Sequence, residues 1–308
     1  MIFIALIFPP FLINSENDYT VQSTGASEWF VIEGLVDNPI NITYAELKYY
    51  PLISEVAMLQ CVGGGQGGPK VTYNWTGVPL FYLLSMAKVV SGGYREVVFN
   101  ATDGFSSSVP LEVAMDPTTI LAFEANGTDL EQIAGLGGGY KVVLPCRWGY
   151  KWVKWIKQII IVDYDYKGTY ERQGFSDEAL RPNSTMPLTT PPSQNFSSTE
   201  TGGQVVQALS NFSILSFSFQ NHRRLVFNVT GLSEGSGYFY VTFSTDLFGA
   251  PYEVFVDRNL TGFSQISTDK RVYLYFGYAY SANTIEIEGV SAFDISEGGS
   301  PSLIPLLQ

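Results

Sequence analysis

The feature that most constrains the fold is a Pro/Ser/Thr-rich stretch dividing two halves of unlike hydrophobic patterning. It runs from Arg181-Pro182-Asn183-Ser184-Thr185 through Thr190-Pro191-Pro192-Ser193 to Gly203 and holds few apolar residues. Such composition cannot carry a packed core, so residues 181–204 read as an extended, glycosylated linker. After it the pattern is purely β-like. Ile214-Leu215-Ser216-Phe217-Ser218-Phe219 alternates, as do Tyr238-Phe239-Tyr240-Val241-Thr242-Phe243 and Thr284-Ile285-Glu286-Ile287-Glu288. Short aromatic and β-branched runs about every ten residues, with Gly, Asn and Asp between them, predict an all-β sandwich over 205–294. Before the linker, residues 21–180 read as a mixed α/β domain. Thr43-Tyr44-Ala45-Glu46 has the form of a capping box, and Leu80 to Ala87 reads as a buried helix. Strand patterns occur at 29–36, 56–61, 96–99, 141–144 and 159–162. The predicted class is α+β: a mixed α/β domain followed by an all-β sandwich, in keeping with 308 residues.

Charge and residue counts exclude most chemistries. Lys plus Arg is 17 and Asp plus Glu is 29, a net charge of −12. Phosphate backbones would repel such a chain, so nucleic acid is not an expected partner. One histidine, His222, and two cysteines, Cys61 and Cys146, leave no ligand set for a Cys/His zinc cluster, a four-cysteine iron–sulfur centre or a CxxCH haem site. His222 sits in Gln220-Asn221-His222-Arg223-Arg224 between two strand patterns and reads as an exposed turn residue. Redox chemistry in this chain would need a bound cofactor.

Nine of the 14 asparagines lie in Asn-x-Ser/Thr sequons: Asn41, Asn74, Asn100, Asn126, Asn183, Asn195, Asn211, Asn228 and Asn259. The Ser and Thr content predicts about two by chance. The excess points to N-glycosylation and an extracellular or cell-surface location. Residues 1–20 open on an apolar run resembling a signal peptide, with a buried N-terminal strand as the alternative. The tail, 295–308, turns apolar and reads as the start of an anchor for cell-envelope attachment. Neither run is long enough to span a bilayer.

Two segments have the composition of a binding site. Cys61 ends a strand and precedes Val62-Gly63-Gly64-Gly65-Gln66-Gly67-Gly68-Pro69. A thiol at the mouth of a glycine loop is open to close approach by a ligand, and glycine backbone can turn N–H groups toward an anion. The letters of residues 63–68 satisfy GxGxxG, but Pro69 and a strand-like run stand where a dinucleotide site needs a helix. The second segment is Leu144-Pro145-Cys146-Arg147-Trp148-Gly149-Tyr150-Lys151-Trp152-Val153-Lys154-Trp155-Ile156, dense in tryptophan and cations. It can clamp a flat anionic cofactor by stacking and charge, or be a core strand with snorkelling lysines.

Taken in order, several blocks resemble one family. They are Leu59-Gln60-Cys61-Val62, Asn74-Trp75-Thr76-Gly77-Val78-Pro79-Leu80, Ala101-Thr102-Asp103-Gly104-Phe105, Leu121-Ala122-Phe123-Glu124 and Lys141-Val142-Val143-Leu144-Pro145 with Gly149-Tyr150-Lys151-Trp152-Val153-Lys154-Trp155-Ile156. Over residues 27–179 the chain resembles the molybdopterin-binding domain of the sulfite oxidase family, most closely its exported prokaryotic and archaeal branch. The sandwich pattern resembles modules near the C-termini of archaeal surface proteins. The resemblance implies that the Cys61 thiolate binds molybdenum (or tungsten) beside the pterin dithiolene, as metal ligand and catalytic residue. It implies that Lys151 and Lys154 contact the pterin and its phosphate, with Arg147 and Tyr150 in the same block. Asp103 falls in a loop near the metal, while Trp75, Gly77 and Pro79 are framework. The implied partners are a small-molecule substrate and an external electron carrier such as a cytochrome.

Two departures bear on these roles. Sulfite-oxidising relatives follow the ligand cysteine with Gly-Asn-Arg-like residues, and here Gly63, Gly64 and Gly65 follow Val62, which weakens sulfite as substrate. Arg147 is the candidate to supply that charge from the other loop. Cys61 and Cys146 can instead pair as a disulfide in an exported chain, which would remove the ligand. The alternative function is a non-catalytic glycosylated surface protein that keeps the fold without the cofactor. A carbohydrate-binding role for the sandwich would rest on its aromatics, whose period of two marks them as core.

Overall fold

The computed structural model describes residues 29–63, 68–133, 135–136, 139–230, 236–279 and 282–291. The signal-like segment 1–20, the tail 295–308 and the middle of the glycine loop (64–67) lie outside the described residues. The first half runs β1 (Trp29–Gly34), β2 (Ile40–Thr43), α1 (Tyr44–Leu47), β3 (Ile53–Gln60), β4 (Lys70–Pro79), α2 (Leu80–Ala87), β5 (Glu96–Ala101), β6 (Ser106–Pro110), α3 (Leu111–Ala114), β7 (Ile120–Ala125), β8 (Thr128–Asp129), β9 (Lys141–Val143), β10 (Ile156–Val162) and β11 (Thr189–Thr190). One sheet has the order β2-β1-β10-β5-β6; the other is β11-β3-β4-β7-β8, with β9 on the free side of β7.

This half holds less helix than the α+β expectation: its longest α-helix among the described residues is α2, of 8 residues. The run 156–162 is β-branched at most positions, and 96–101 carries Val97, Val98 and Phe99 in succession, which suits pleated packing. Thr43 and Glu46 form the predicted capping box, with the Thr43 N–H donating to Glu46 Oε2 at 2.6 Å. After residues 63–68 the chain enters β4, which removes the dinucleotide reading.

The second half runs β12 (Ser193–Phe196), β13 (Val206–Ser210), β14 (Ser213–Gln220), β15 (Arg224–Thr230), β16 (Ser236–Ser244), β17 (Phe248–Val256), β18 (Asn259–Thr261), β19 (Ser264–Ser267), β20 (Arg271–Ala279) and β21 (Thr284–Ser291). Two five-stranded antiparallel sheets result, β12-β13-β16-β20-β19 and β14-β15-β21-β17-β18. Phe239 and Phe276 of the first and Phe227 and Ile287 of the second meet in one core. His222 is exposed in the β14–β15 turn with φ +53.

Residues 181–204 are not the free linker expected. Thr189 and Thr190 pair with Glu55 and Ser54 on the edge of β3, and Ser193–Phe196 pairs with β13. The open edge of β3 offers unpaired backbone groups, and a Thr-rich segment satisfies them. The halves also share apolar core. Leu209, Tyr240 and Ile266 belong to the same buried cluster as Phe81 and Leu121. Phe81 stacks on Tyr240 with ring centroids 4.0 Å apart, and Tyr240 Oη donates to the Met115 carbonyl at 2.6 Å. Eight sequon asparagines are exposed; Asn100 is half-buried and its amide donates to Gln158 at 2.9 Å.

Candidate functional site

The end of β3 delivers Cys61 to the surface. The Cys61 N–H donates to the Pro69 carbonyl at 3.1 Å and the Gly68 N–H to the Cys61 carbonyl at 2.8 Å, which closes the glycine loop at its base. A Cβ on Gly68 would lie 3.0 Å from that of Cys61. The second loop packs against the same strand end. A Cβ on Gly149 would meet the Gln60 carbonyl oxygen at 2.9 Å, so only glycine lets the 146–152 segment sit there. Cys61 is exposed and Cys146 is buried, and both are free thiols. The disulfide alternative is therefore not the state of this structure.

One lysine lies near the thiol, and a second faces that lysine. β9 carries Lys141, which bridges to Lys154 in antiparallel register and donates from Nζ to the Trp152 carbonyl at 3.2 Å. Burial, and then repulsion from Lys154, lower the Lys141 ammonium to about 8, against a smaller opposing pull from Cys61. Lys154 Nζ lies 3.9 Å from the centroid of the Trp155 ring. The Trp155 indole N–H is buried without a partner, and its φ of +55 is a rare conformation for a bulky residue. The Thr102 N–H donates to the Trp155 carbonyl at 2.9 Å, which brings the predicted Asp103 turn to the same place. The exposed Asp103 carboxylate spends one oxygen on the Phe105 N–H at 3.0 Å.

Two predicted cofactor residues are corrected. Lys151 is 0% exposed, with Nζ 2.6 Å from Glu171 Oε1, 3.0 Å from Asp177 Oδ1 and 2.9 Å from the Ser108 carbonyl. Its three donors are spent inside the protein, because a buried ammonium must be paired. Tyr150 donates its hydroxyl to the Ser176 carbonyl at 2.5 Å and stacks on Tyr170 at 5.3 Å. Burial, with Glu171 and Asp177 nearby, pushes that phenol up to about 12. Both residues hold the 163–180 segment in place instead of facing a ligand.

Arg147 is half-buried, and its guanidinium makes no hydrogen bond among the described residues. Its charge is weakened by burial and supported by Asp116, Cys146 and Glu178. Sequence reading passed over two cations. Lys141 stood inside a quoted strand, and its facing Lys154 across a bridge is the signal that marks it. Arg181, read as the start of the linker, is 9% exposed; it donates weakly to Gln60 Oε1 at 3.5 Å and keeps its Nε buried without a partner. Trp75 and Gly77 are framework: the Trp75 indole donates to the Ala57 carbonyl at 2.9 Å, and a Cβ on Gly77 would meet the Leu121 carbonyl at 2.2 Å.

An exposed thiol near two apposed cations, with orphaned N–H donors in the same loops, has chemistry suited to a soft metal and an anionic group. Residues 19–170 match the profile of the oxidoreductase molybdopterin binding domain. The NADPH nitrate reductase of Neurospora crassa is 29% identical over 222 residues, 62% of this chain and 21% of that protein. The uncharacterized oxidoreductase YuiH of Bacillus subtilis is 28% identical over 145 residues, 47% of this chain and 70% of that protein. The sulfane dehydrogenase SoxCD of Paracoccus pantotrophus aligns with a TM-score of 0.43 and 20% identity, over 84% of this chain and 65% of that one. Residues 19–170 therefore form a molybdopterin-binding oxidoreductase domain. It is an enzyme domain, and molybdopterin is its cofactor. The chain spans about a fifth of the length of the Neurospora relative.

The residues present fit that cofactor. Cys61 would offer the thiolate for the metal, Lys141 and Lys154 a paired positive charge for the pterin phosphate, and Trp155 and Arg181 unpaired donors. Lys151, with its donors already spent on Glu171, Asp177 and Ser108, would not contact it directly.

Proposed function

We propose that this chain is an exported molybdopterin oxidoreductase that exchanges two electrons with a small substrate at Cys61 and passes them to or from a separate carrier. The observation that carries the reading is the pairing of Lys141 with Lys154 beside the one exposed cysteine, in a chain of net charge −12. Two ammonium groups held together away from water repel each other, and an anion bound beside them would offset that cost. The bound cofactor supplies the redox-active metal. The protein's own residues hold and orient it: Cys61 fixes the metal end, and Lys141 and Lys154 neutralise the far end. The Lys154 ammonium over Trp155 stiffens that end against displacement.

A molybdenum (or tungsten) centre suits substrates that gain or lose an oxygen atom, and oxyanions are the first class to test. The nitrate reductase name of several relatives supports that choice. The glycines at 63–65 disfavour sulfite, and the half-buried Arg147 guanidinium is the cation available to meet an oxyanion. The chain has no ligand set for haem or iron–sulfur, so a soluble or membrane carrier such as a cytochrome is the electron partner. Exposure at eight of the nine sequons supports export and N-glycosylation. The C-terminal pair of sheets we read as a β-sandwich of the kind found in archaeal surface proteins, serving as a spacer or attachment module.

The test is a dye-coupled assay of the cofactor-loaded protein in both directions. Reduced viologen is supplied with nitrate, chlorate, sulfoxides or N-oxides, and ferricyanide with reduced sulfur compounds. Turnover in the wild type that Cys61→Ser abolishes is the expected result. Loaded protein that turns over nothing in either direction contradicts the catalytic reading.

A further inference from the structure

Away from Cys61, three carboxylates converge on one point. Glu96 opens β5, and Asp165 and Asp177 lie on the segment that follows β10. One oxygen from each lies within 4.8 Å of the other two. Glu96 is 0% exposed. Its Oε2 accepts the Tyr166 N–H at 2.5 Å, while its Oε1 is buried with no hydrogen-bond partner, and one oxygen of this carboxyl lies in the group with the two aspartates. Buried carboxylate oxygens are normally satisfied, so this one marks a missing partner.

The cations already present do not fill the place. Lys167 Nζ bridges Asp165 Oδ1 at 2.8 Å and Asp177 Oδ2 at 3.1 Å, and Lys151 Nζ holds Asp177 Oδ1 at 3.0 Å. Neither forms an ion pair with Glu96. Three carboxylates against two ammonium groups leave a net negative charge, and the Lys167 side chain is 42% exposed on a flexible stem. Burial also pushes the Glu96 carboxyl up from its usual range, against the pull of the Tyr166 N–H, and Asp177 and Asp165 add to the rise.

We propose that Glu96, Asp165 and Asp177 bind a hard divalent cation of the calcium type, and that the Lys167 ammonium stands in its place when the cation is absent. Oxygen-only donors and an open side suit such an ion, with water completing its shell. An open site of this kind falls in the range of about 10⁻⁴–10⁻³ M, that of extracellular modules. The cation would clasp the 163–180 segment to β5. That segment carries Glu171 and Asp177, which hold Lys151, and Tyr170 and Phe175, which pack on Tyr150. Cation binding would thus brace the block that presents Lys154. The inference does not depend on the redox reading.

The test uses the full chain without the molybdenum cofactor. Terbium is the probe, because Tyr166 donates its N–H to Glu96 and the Tyr94 phenol is raised by burial and by the nearby charges of Glu96, Asp165 and Asp177. The expected result is tyrosine-sensitised terbium emission that calcium displaces, with a calcium-dependent rise in Tm. Asp165→Asn, at a 57% exposed side chain, should weaken binding by about tenfold and remove the Tm rise. Lys167→Met should tighten binding severalfold, since the competing ammonium is gone; a merely structural Lys167 would not give that sign. No displaceable emission, emission unchanged in Asp165→Asn, or weaker binding in Lys167→Met would each overturn the proposal.

Discussion

At the residue scale, chemistry was legible where a side chain has few uses and illegible where a distant partner decides its role. Cys61 stood out because a thiol at the mouth of a glycine loop has little structural purpose. Lys151 was misplaced because its partners, Glu171 and Asp177, arrive 20 and 26 positions later from a segment with no regular pattern. Lys151→Met should therefore lower stability by about 3–5 kcal/mol, because it leaves Glu171 buried and unpaired. Urea unfolding of Lys151→Met beside Lys151→Met/Glu171→Gln checks it, and the double variant should recover much of the loss. Lys141 behaves in the opposite way. Its folded pKa of about 8 lies below the ordinary 10.5, so the folded chain binds fewer protons between those values. The cost of burying its charge is full below about pH 8 and is relieved as pH rises toward 10.5. Lys141→Met should raise the Tm of cofactor-free protein at pH 7 and remove that slope, while pterin retention falls.

Glu55 adds a second window, of the opposite sign. It is 2% exposed with both carboxylate oxygens unpartnered, and burial, then Asp116, push it up to about 9. The folded state holds this proton between the ordinary 4.5 and about 9, so stability falls as pH rises through that range. Glu55→Gln should flatten the fall and raise stability at pH 8 by at least about 1 kcal/mol, measured by thermal melts across pH.

At the element scale, strands and the capping box were readable because their signals are local: period-two patterning and Thr43 with Glu46. The balance of helix and strand was less so, since apolar runs such as 120–125 fit either state until sheet neighbours fix them. The pairing of Thr189 and Thr190 with β3 was invisible for the same reason; an exposed edge 134 residues earlier is not a local property. Gly149 joins element to site. Gly149→Ala puts a methyl group 2.9 Å from the Gln60 carbonyl and 3.0 Å from Leu59 Cδ1, and the strand end bearing Cys61 must shift. Metal retention should drop more than Tm does, and metal analysis beside melting curves tests that ordering.

At the scale of the whole molecule, the two halves were readable as different patterns but not as one body. The aromatic residues that join them, Phe81, Tyr82, Tyr240 and Tyr275, lie in segments whose periodicity marks them as core without saying whose core. Tyr240→Ala removes the Phe81 stack and the bond to Met115, and should cost about 3–5 kcal/mol. Both halves should still melt in one transition if their shared core couples them; two separated transitions in the wild type would contradict that. The central claim is that Cys61 and the Lys141–Lys154 pair hold a molybdopterin. Its most direct test is the metal and pterin content of protein made in a host that supplies the cofactor, for wild type, Cys61→Ser and Lys154→Met. The account predicts about one molybdenum or tungsten and one pterin per wild-type chain, loss of metal in Cys61→Ser and loss of both in Lys154→Met. Equal metal and pterin in all three proteins, or none in the wild type, would contradict it.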